Sequence, residues 1–294
     1  MLGTSQVRLA WLLIIGLALM WGTSFASMAQ ALVSMDPLAI MGWRLAIGAV
    51  VLVAVAVFMR VGWPLRQAWW QYLGIAAIGN CLPFGLIAWG QLEVSSAVAG
   101  AIMGTMPMVT AAMAMGLGLD RLRGLQWVGL GIGFLGLLLL ARGQAQFEGS
   151  LLGVGAIVIA VLCYAASTMI AKRGPDQNAL RAGAATLVLA GTIGLLTWGL
   201  FGAPIPVLAD PAWIYVLYLA AFPTALAMVF YFWVVRIAGP VFLSQVNYMV
   251  PVVAFVVGML FMNEALFVEL PVAIGLILAG LYFASRRSSD PSIN

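Results

Sequence analysis

Apolar residues gather along this chain in ten long runs, at 9–33, 37–59, 69–91, 94–118, 125–141, 151–171, 179–201, 212–235, 240–262 and 268–285. A helix needs about 20 apolar residues to cross the hydrocarbon core of a bilayer, so each run predicts a transmembrane helix. The polar links are short and carry turn or cap signals. Asp36-Pro37 opens the second run, Gly174-Pro175-Asp176 separates the sixth from the seventh, and Gly239-Pro240 opens the ninth. None of the links is long or polar enough to build a soluble domain, and the tail beyond Arg286 is expected to be disordered. Arg8 and the apolar stretch ending in Ala-Ser-Met-Ala-Gln-Ala have some features of a signal peptide. The run is too long for one, so a retained first helix is expected.

The runs repeat. Sliding the stretch from Leu73 to Arg142 by 144 positions lays it on Leu217 to Arg286 without a gap. Trp89 then meets Trp233, Pro107 meets Pro251, Val109 meets Val253, Gly131 meets Gly275, Gly136 meets Gly280, and Asp120 meets another acid, Glu264. With five runs per copy, the second copy must enter the membrane upside down. Inverted repeats are a hallmark of secondary transporters. The predicted organisation is a first five-helix repeat over 1–145, an inverted second one over 146–287, and a short tail over 288–294.

Composition agrees. The 294 residues are 64% hydrophobic and 7% charged, too few charges to cover a soluble surface, where about 25% is usual. The net charge of +4 would elsewhere suggest nucleic acid, but here the basic residues sit in the links. With the N-terminus in the cytoplasm, ten spans place Arg8, Arg60, Arg66, Arg121, Arg123, Lys172, Arg173, Arg181, Arg236, Arg286 and Arg287 inside and only Arg142 outside. That asymmetry predicts both termini to be cytoplasmic. Cys81 and Cys163 fall in apolar runs and read as reduced. The chain has no histidine and no mid-span Asp or Glu, which argues against a metal site, an intramembrane enzyme and tight proton coupling. No catalytic residue, cofactor or nucleic-acid partner is expected. The expected partners are the lipid bilayer and a small-molecule substrate, with the chain a monomer.

The turn Trp21-Gly22-Thr23-Ser24-Phe25, Arg44 in the second run, and the order Ser95-Ser96-Ala97, Pro107, Asp120 beside Leu122 and a Gly-rich helix, matched later by Val241, Pro251, Glu264 and Gly275, resemble the drug/metabolite transporter superfamily, EamA type. The chain departs from that pattern at Asp120-Arg121-Leu122, where Gly-Glu is usual. The resemblance covers nearly the whole chain. It implies ten helices in the bacterial inner membrane and a central pocket lined by helices 1, 3, 4, 6, 8 and 9. Within the superfamily the chain looks most similar to YddG-type exporters of aromatic and other neutral amino acids.

In such carriers the substrate binds near the midplane at the repeat interface, so polar residues deep in a span are candidates. Asn80 lies mid-run and its repeat mate is Thr224. Gln245, Asn247 and Tyr248 replace Ala101, Met103 and Gly104, which gives one wall hydrogen-bonding groups and the other a thioether. Trp21 sits mid-helix, with Ser24 three residues on; Tyr164 and Ser167 are their approximate counterparts. The candidate binding set is therefore Trp21, Ser24, Asn80, Met103, Tyr164, Thr224, Gln245 and Tyr248. Packing between helices is the competing role for Ser24, Ser167 and Thr224, and core packing for Trp21. Pro83, Pro107, Pro223 and Pro251 each remove a backbone donor and are the candidate kinks. Arg44 lies about 12 Å along its helix from Asp36; its stem can snorkel to the outer interface or an outer acid, and a substrate carboxylate is the sharper alternative. Gly131-Ile-Gly133-Phe-Leu-Gly136 spells a dinucleotide fingerprint, but inside an apolar helix with no preceding strand it reads as a packing surface.

Together these features point to an uncoupled or weakly coupled exporter of aromatic or neutral amino acids, or similar small metabolites, working by alternating access. A pocket without fixed charge suits a substrate that is neutral overall. A multidrug, organic-cation carrier on the same scaffold and a channel are the alternatives; Trp21 and Tyr164 leave the first of these open.

Overall fold

The computed structural model describes residues 4–62, 64–116, 124–146, 150–176, 178–205, 207–231, 233, 234, 237, 246–262 and 269–285. Among them every regular element is helical. α1 spans Thr4–Ala31 and α2 Pro37–Phe58. A single 3-10 turn, Arg66–Ala68, leads into α3 (Trp69–Ala76), and a widened π turn, Ala77–Cys81, joins it to α4 (Leu82–Gly90). α5 (Ser96–Met103) and α6 (Met106–Gly116) follow, then α7 (Gly124–Gln146), α8 (Leu151–Arg173) and α9 (Ala179–Phe201). α10 (Ala212–Ala220) runs through a second π turn, Ala221–Leu226, into helical residues 227–231. α11 (Val246–Phe261) and α12 (Glu269–Ser285) complete the order.

Seven helical stretches among the described residues are long and apolar enough to cross a membrane. The fifth, ninth and tenth predicted runs correspond to shorter apolar helices, Trp127–Leu139, Met249–Phe261 and Glu269–Gly280. The turn signals seen in the sequence become caps. Asp36 accepts the N–H groups of Leu38 (2.9 Å) and Ala39 (3.3 Å), with Pro37 as the first helical residue. α2 closes with Arg60 at φ 53°, and the N–H of Arg60 and of Val61 reach back to Val57 and Ala56 at 3.0 and 2.9 Å. These are the paired bonds of a Schellman end, with arginine where glycine is usual.

Helix contacts follow the repeat. α1 packs on α10 and α11, just as α8, its counterpart, packs on α4, α5 and α6. α2 pairs with α9, α5 with α11, and α7 with α12. Lipid tails are as apolar as leucine, so close packing rather than water exclusion must hold such pairs, and small residues permit it. A methyl group at Gly42 would lie 2.9 Å from the carbonyl oxygen of Gly194, so α2 and α9 cross at backbone contact. A methyl group at Gly280 would lie 2.5 Å from the nitrogen of Gly133, so the fingerprint-like stretch of α7 is a seat for α12.

The two aligned prolines differ in surroundings. The fourth run breaks at Gly104–Thr105, between α5 and α6, immediately before Pro107. α11 continues through Pro251, whose ring fills the space beside Gly104. Pro83 follows the first π turn, and Pro223 lies within the second.

One polar cluster crosses between the repeats. The Asp176 carboxylate, 2% exposed, accepts Arg181 Nε (2.8 Å) and Nη2 (2.7 Å), Tyr72 Oη (2.6 Å) and the N–H of Asn178 (3.0 Å). The Gln71 side chain pairs with both backbone groups of Asp176, at 3.0 and 2.9 Å. Burial would raise the Asp176 pKa, but Arg181 and Tyr72 together hold it below the usual carboxylate range. The α8–α9 link is thereby fastened to the start of α3. On the opposite pseudosymmetric pair, Ser34 of the α1–α2 link donates to Asp210, ahead of α10, at 2.8 Å in an exposed position.

Candidate functional site

The two π turns begin 144 residues apart, at Ala77 and Ala221. A π turn inserts one residue into the helical ladder and shifts the following side chains around the axis, which is why such turns collect at functional sites. Each turn carries one of the two deep polar residues. Asn80 Nδ2 donates to the Ile75 carbonyl at 3.0 Å, and Thr224 Oγ1 donates to the Leu219 carbonyl at 2.8 Å. Thr224 goes further, because its hydroxyl also accepts Arg44 Nε at 2.9 Å.

The sequence favours Arg44 reaching for the outer interface. It does not reach it. The side chain is 7% exposed and lies across the repeat boundary, with its guanidinium carbon 3.9 Å from the centre of the Phe84 ring. A cation over an aromatic face gains about 0.5–2 kcal/mol, more as water is excluded. Tyr164 stands edge-on to the same ring at 6.4 Å. The site therefore has one fixed charge, whereas the sequence predicts none. Val188, 144 positions on in α9, is apolar, so the charge belongs to one repeat only.

Trp21 joins the group from α1. Its indole N–H donates to the Pro223 carbonyl at 3.2 Å, inside the second π turn. Ser24 Oγ donates to the Trp21 carbonyl at 2.6 Å, and Ser167 Oγ donates to the Tyr164 carbonyl at 2.9 Å. The approximate repeat mates thus make the same local bond.

Of the predicted set, Trp21, Tyr164 and Thr224 come together through Arg44, Phe84 and Pro223. Ser24 and Asn80 spend a hydrogen on their own helices. Met103 packs against the apolar core formed by α5, α8 and α12, which Tyr164 also touches. Gln245 lies outside the described residues, and so does the Tyr248 side chain, although its backbone belongs to α11. Arg44 and Phe84 are absent from the predicted set. Arg44 announces itself as a lone charge within an apolar run; Phe84, one phenylalanine among 14, gives no signal. Among the described residues no group of His, Cys, Asp or Glu could hold a metal, and no carboxylate pairs with Arg44.

Residues 8–142 and 151–286 each match the EamA-like transporter family. The chain belongs to that family. An uncharacterized inner membrane transporter of Escherichia coli K12, YedA, is 26% identical over 251 residues, covering 82% of this chain and 79% of its own. Protein PagO of Salmonella typhimurium LT2 is 25% identical, covering 89% of each chain. The uncharacterized transporter YvbV of Bacillus subtilis 168 is 24% identical, covering 94% of this chain and 92% of its own. A solved structure at 20% identity superposes with TM-score 0.67 over 94% of this chain and 96% of its own, a likeness of fold. This EamA-family chain is a multi-pass bacterial inner membrane protein, and membership implies a small-molecule substrate. Family and relatives point to a transporter rather than an enzyme.

Proposed function

We propose that this EamA-family protein exports aromatic or other neutral amino acids, or similar small metabolites, across the inner membrane by alternating access. Ten spans form two inverted repeats, 1–145 and 146–287, with both termini in the cytoplasm. The substrate sits between the repeats, beside the π turns, against Trp21, Tyr164, Thr224, Asn80, Gln245 and Tyr248, with Ser24 and Met103 at the margin.

The observation that carries this reading is the meeting of Trp21 (α1), Arg44 (α2), Phe84 (α4), Tyr164 (α8) and Thr224 (second π turn) across the repeat boundary. Two-repeat carriers place their sites there, with irregular backbone lining the path. Aromatic rings suit an apolar side chain. The lack of a carboxylate in the middle of any span supports transport that follows gradients without a proton relay. Counterflow of labelled amino acids into liposomes holding the purified protein tests the reading. Saturable exchange with trans-stimulation is expected. A wild-type protein that exchanges no amino acid would overturn the substrate assignment, and non-saturating flux would favour a channel.

A further inference from the structure

A guanidinium held among apolar spans is costly unless its donors and charge are answered. Arg44 is answered in part. Nε is taken by Thr224, whose hydroxyl is itself committed to Leu219, and one face is covered by Phe84. Among the described residues the terminal Nη1 and Nη2 have neither a hydrogen-bond acceptor nor an acid. Those two nitrogens form a planar edge with parallel N–H donors, whose natural complement is a carboxylate bound through both oxygens. The group cannot turn away easily, since Thr224 fixes it from one side and Phe84 from another.

We propose that Arg44 is the anchor for a substrate carboxylate, so that the site selects small molecules bearing one and rejects cations that lack it. This rests on the transport reading above and narrows it. The aromatic rings alone would admit organic cations; the fixed positive charge beside them disfavours these. The negative group of the substrate completes the pairing of Arg44, and its apolar part lies toward Trp21 and Tyr164.

The test uses the full chain in liposomes, L-phenylalanine as the exchanged probe, and three competitors: 3-phenylpropionate, which keeps the carboxylate, and phenylalaninamide and phenethylamine, which lack it. In wild-type protein 3-phenylpropionate should inhibit exchange and the other two should not. Arg44→Gln should lower exchange at least about tenfold, with Arg44→Lys intermediate because it keeps the charge but loses the planar fork. Equal inhibition by phenylalaninamide, or unchanged exchange by folded Arg44→Gln, would overturn the anchor. If Arg44→Gln does not fold, the wild-type competitor series and Arg44→Lys decide. If wild type exchanges no amino acid, calorimetric binding of 3-phenylpropionate separates the two ideas. Binding that Arg44→Lys weakens upholds the anchor while the amino acid reading falls; no binding removes both.

Discussion

Asn80 and Thr224, 144 residues apart, make the same bond: each side chain donates to the carbonyl five residues before it, at 3.0 and 2.8 Å, at the mouth of a π turn. Only Thr224 also receives a charged donor, Arg44 Nε. Removing the two side chains should therefore have unequal effects. Asn80→Ala loses one hydrogen bond, about 0.5–1.5 kcal/mol. Thr224→Val keeps the shape but strands a buried charged donor and should cost about 2–3 kcal/mol. Unfolding of the purified variants in detergent checks this, and equal losses would mean that the Arg44–Thr224 bond adds little.

Much of this pairing is legible in the sequence. The offset of 144 and the depth of Asn80 and Thr224 follow from the letters alone, because a duplicated helix keeps its period. The π turns do not, since one inserted residue in a ladder leaves no mark on hydropathy. Arg44 stands out in the sequence as a lone charge, but its direction does not. Snorkelling and inward pairing differ by side-chain rotation, and the decision lies with Thr224 and Phe84, which are 180 and 40 positions away. Of the three glycines that the sequence assigns to packing in α7, Gly133 and Gly136 meet α12 while Gly131 faces open space, and nothing in the sequence names Gly280 as the partner of Gly133.

The buried Asp176 cluster predicts a dependence on pH. The folded pKa lies below that of the unfolded carboxylate, so its stabilisation is complete above the unfolded value and declines as pH falls through the folded one. Asp176→Asn should lose about 3 kcal/mol at neutral pH, at the low end for a buried pair because Arg181 is 21% exposed. The gap to wild type should stay level down to about pH 4 and shrink below it. A gap that is unchanged at pH 3 would show that the hydrogen-bonded shape matters and the charge does not.

Gly42 and Gly131 should respond to alanine with opposite signs. At Gly42 the added methyl meets the Gly194 carbonyl at 2.9 Å, and α2 must separate from α9, at a cost of about 1–3 kcal/mol. Beside Gly131 the structure has open space, so alanine there should gain up to about 1 kcal/mol from helix propensity. Thermal unfolding of the two variants decides. Destabilisation by Gly131→Ala would mean that this glycine has a partner or ligand.

Trp21 and Ser24 are neighbours on one helix face, and the structure separates their roles. The Trp21 indole reaches across to the Pro223 carbonyl, whereas the Ser24 hydroxyl is bound to its own helix at Trp21. Trp21→Phe keeps a ring but loses the donor that ties α1 to the second π turn. It should lower the exchange rate several-fold with little loss of stability, since a single neutral hydrogen bond contributes about 1 kcal/mol. Ser24→Ala removes only a local bond and should leave exchange near the wild-type rate. The two rates, measured under the same counterflow conditions, order the residues. If Ser24→Ala proves the more damaging, the serine hydroxyl must turn toward the substrate during transport, and the bond to Trp21 would belong to one conformation of the cycle only.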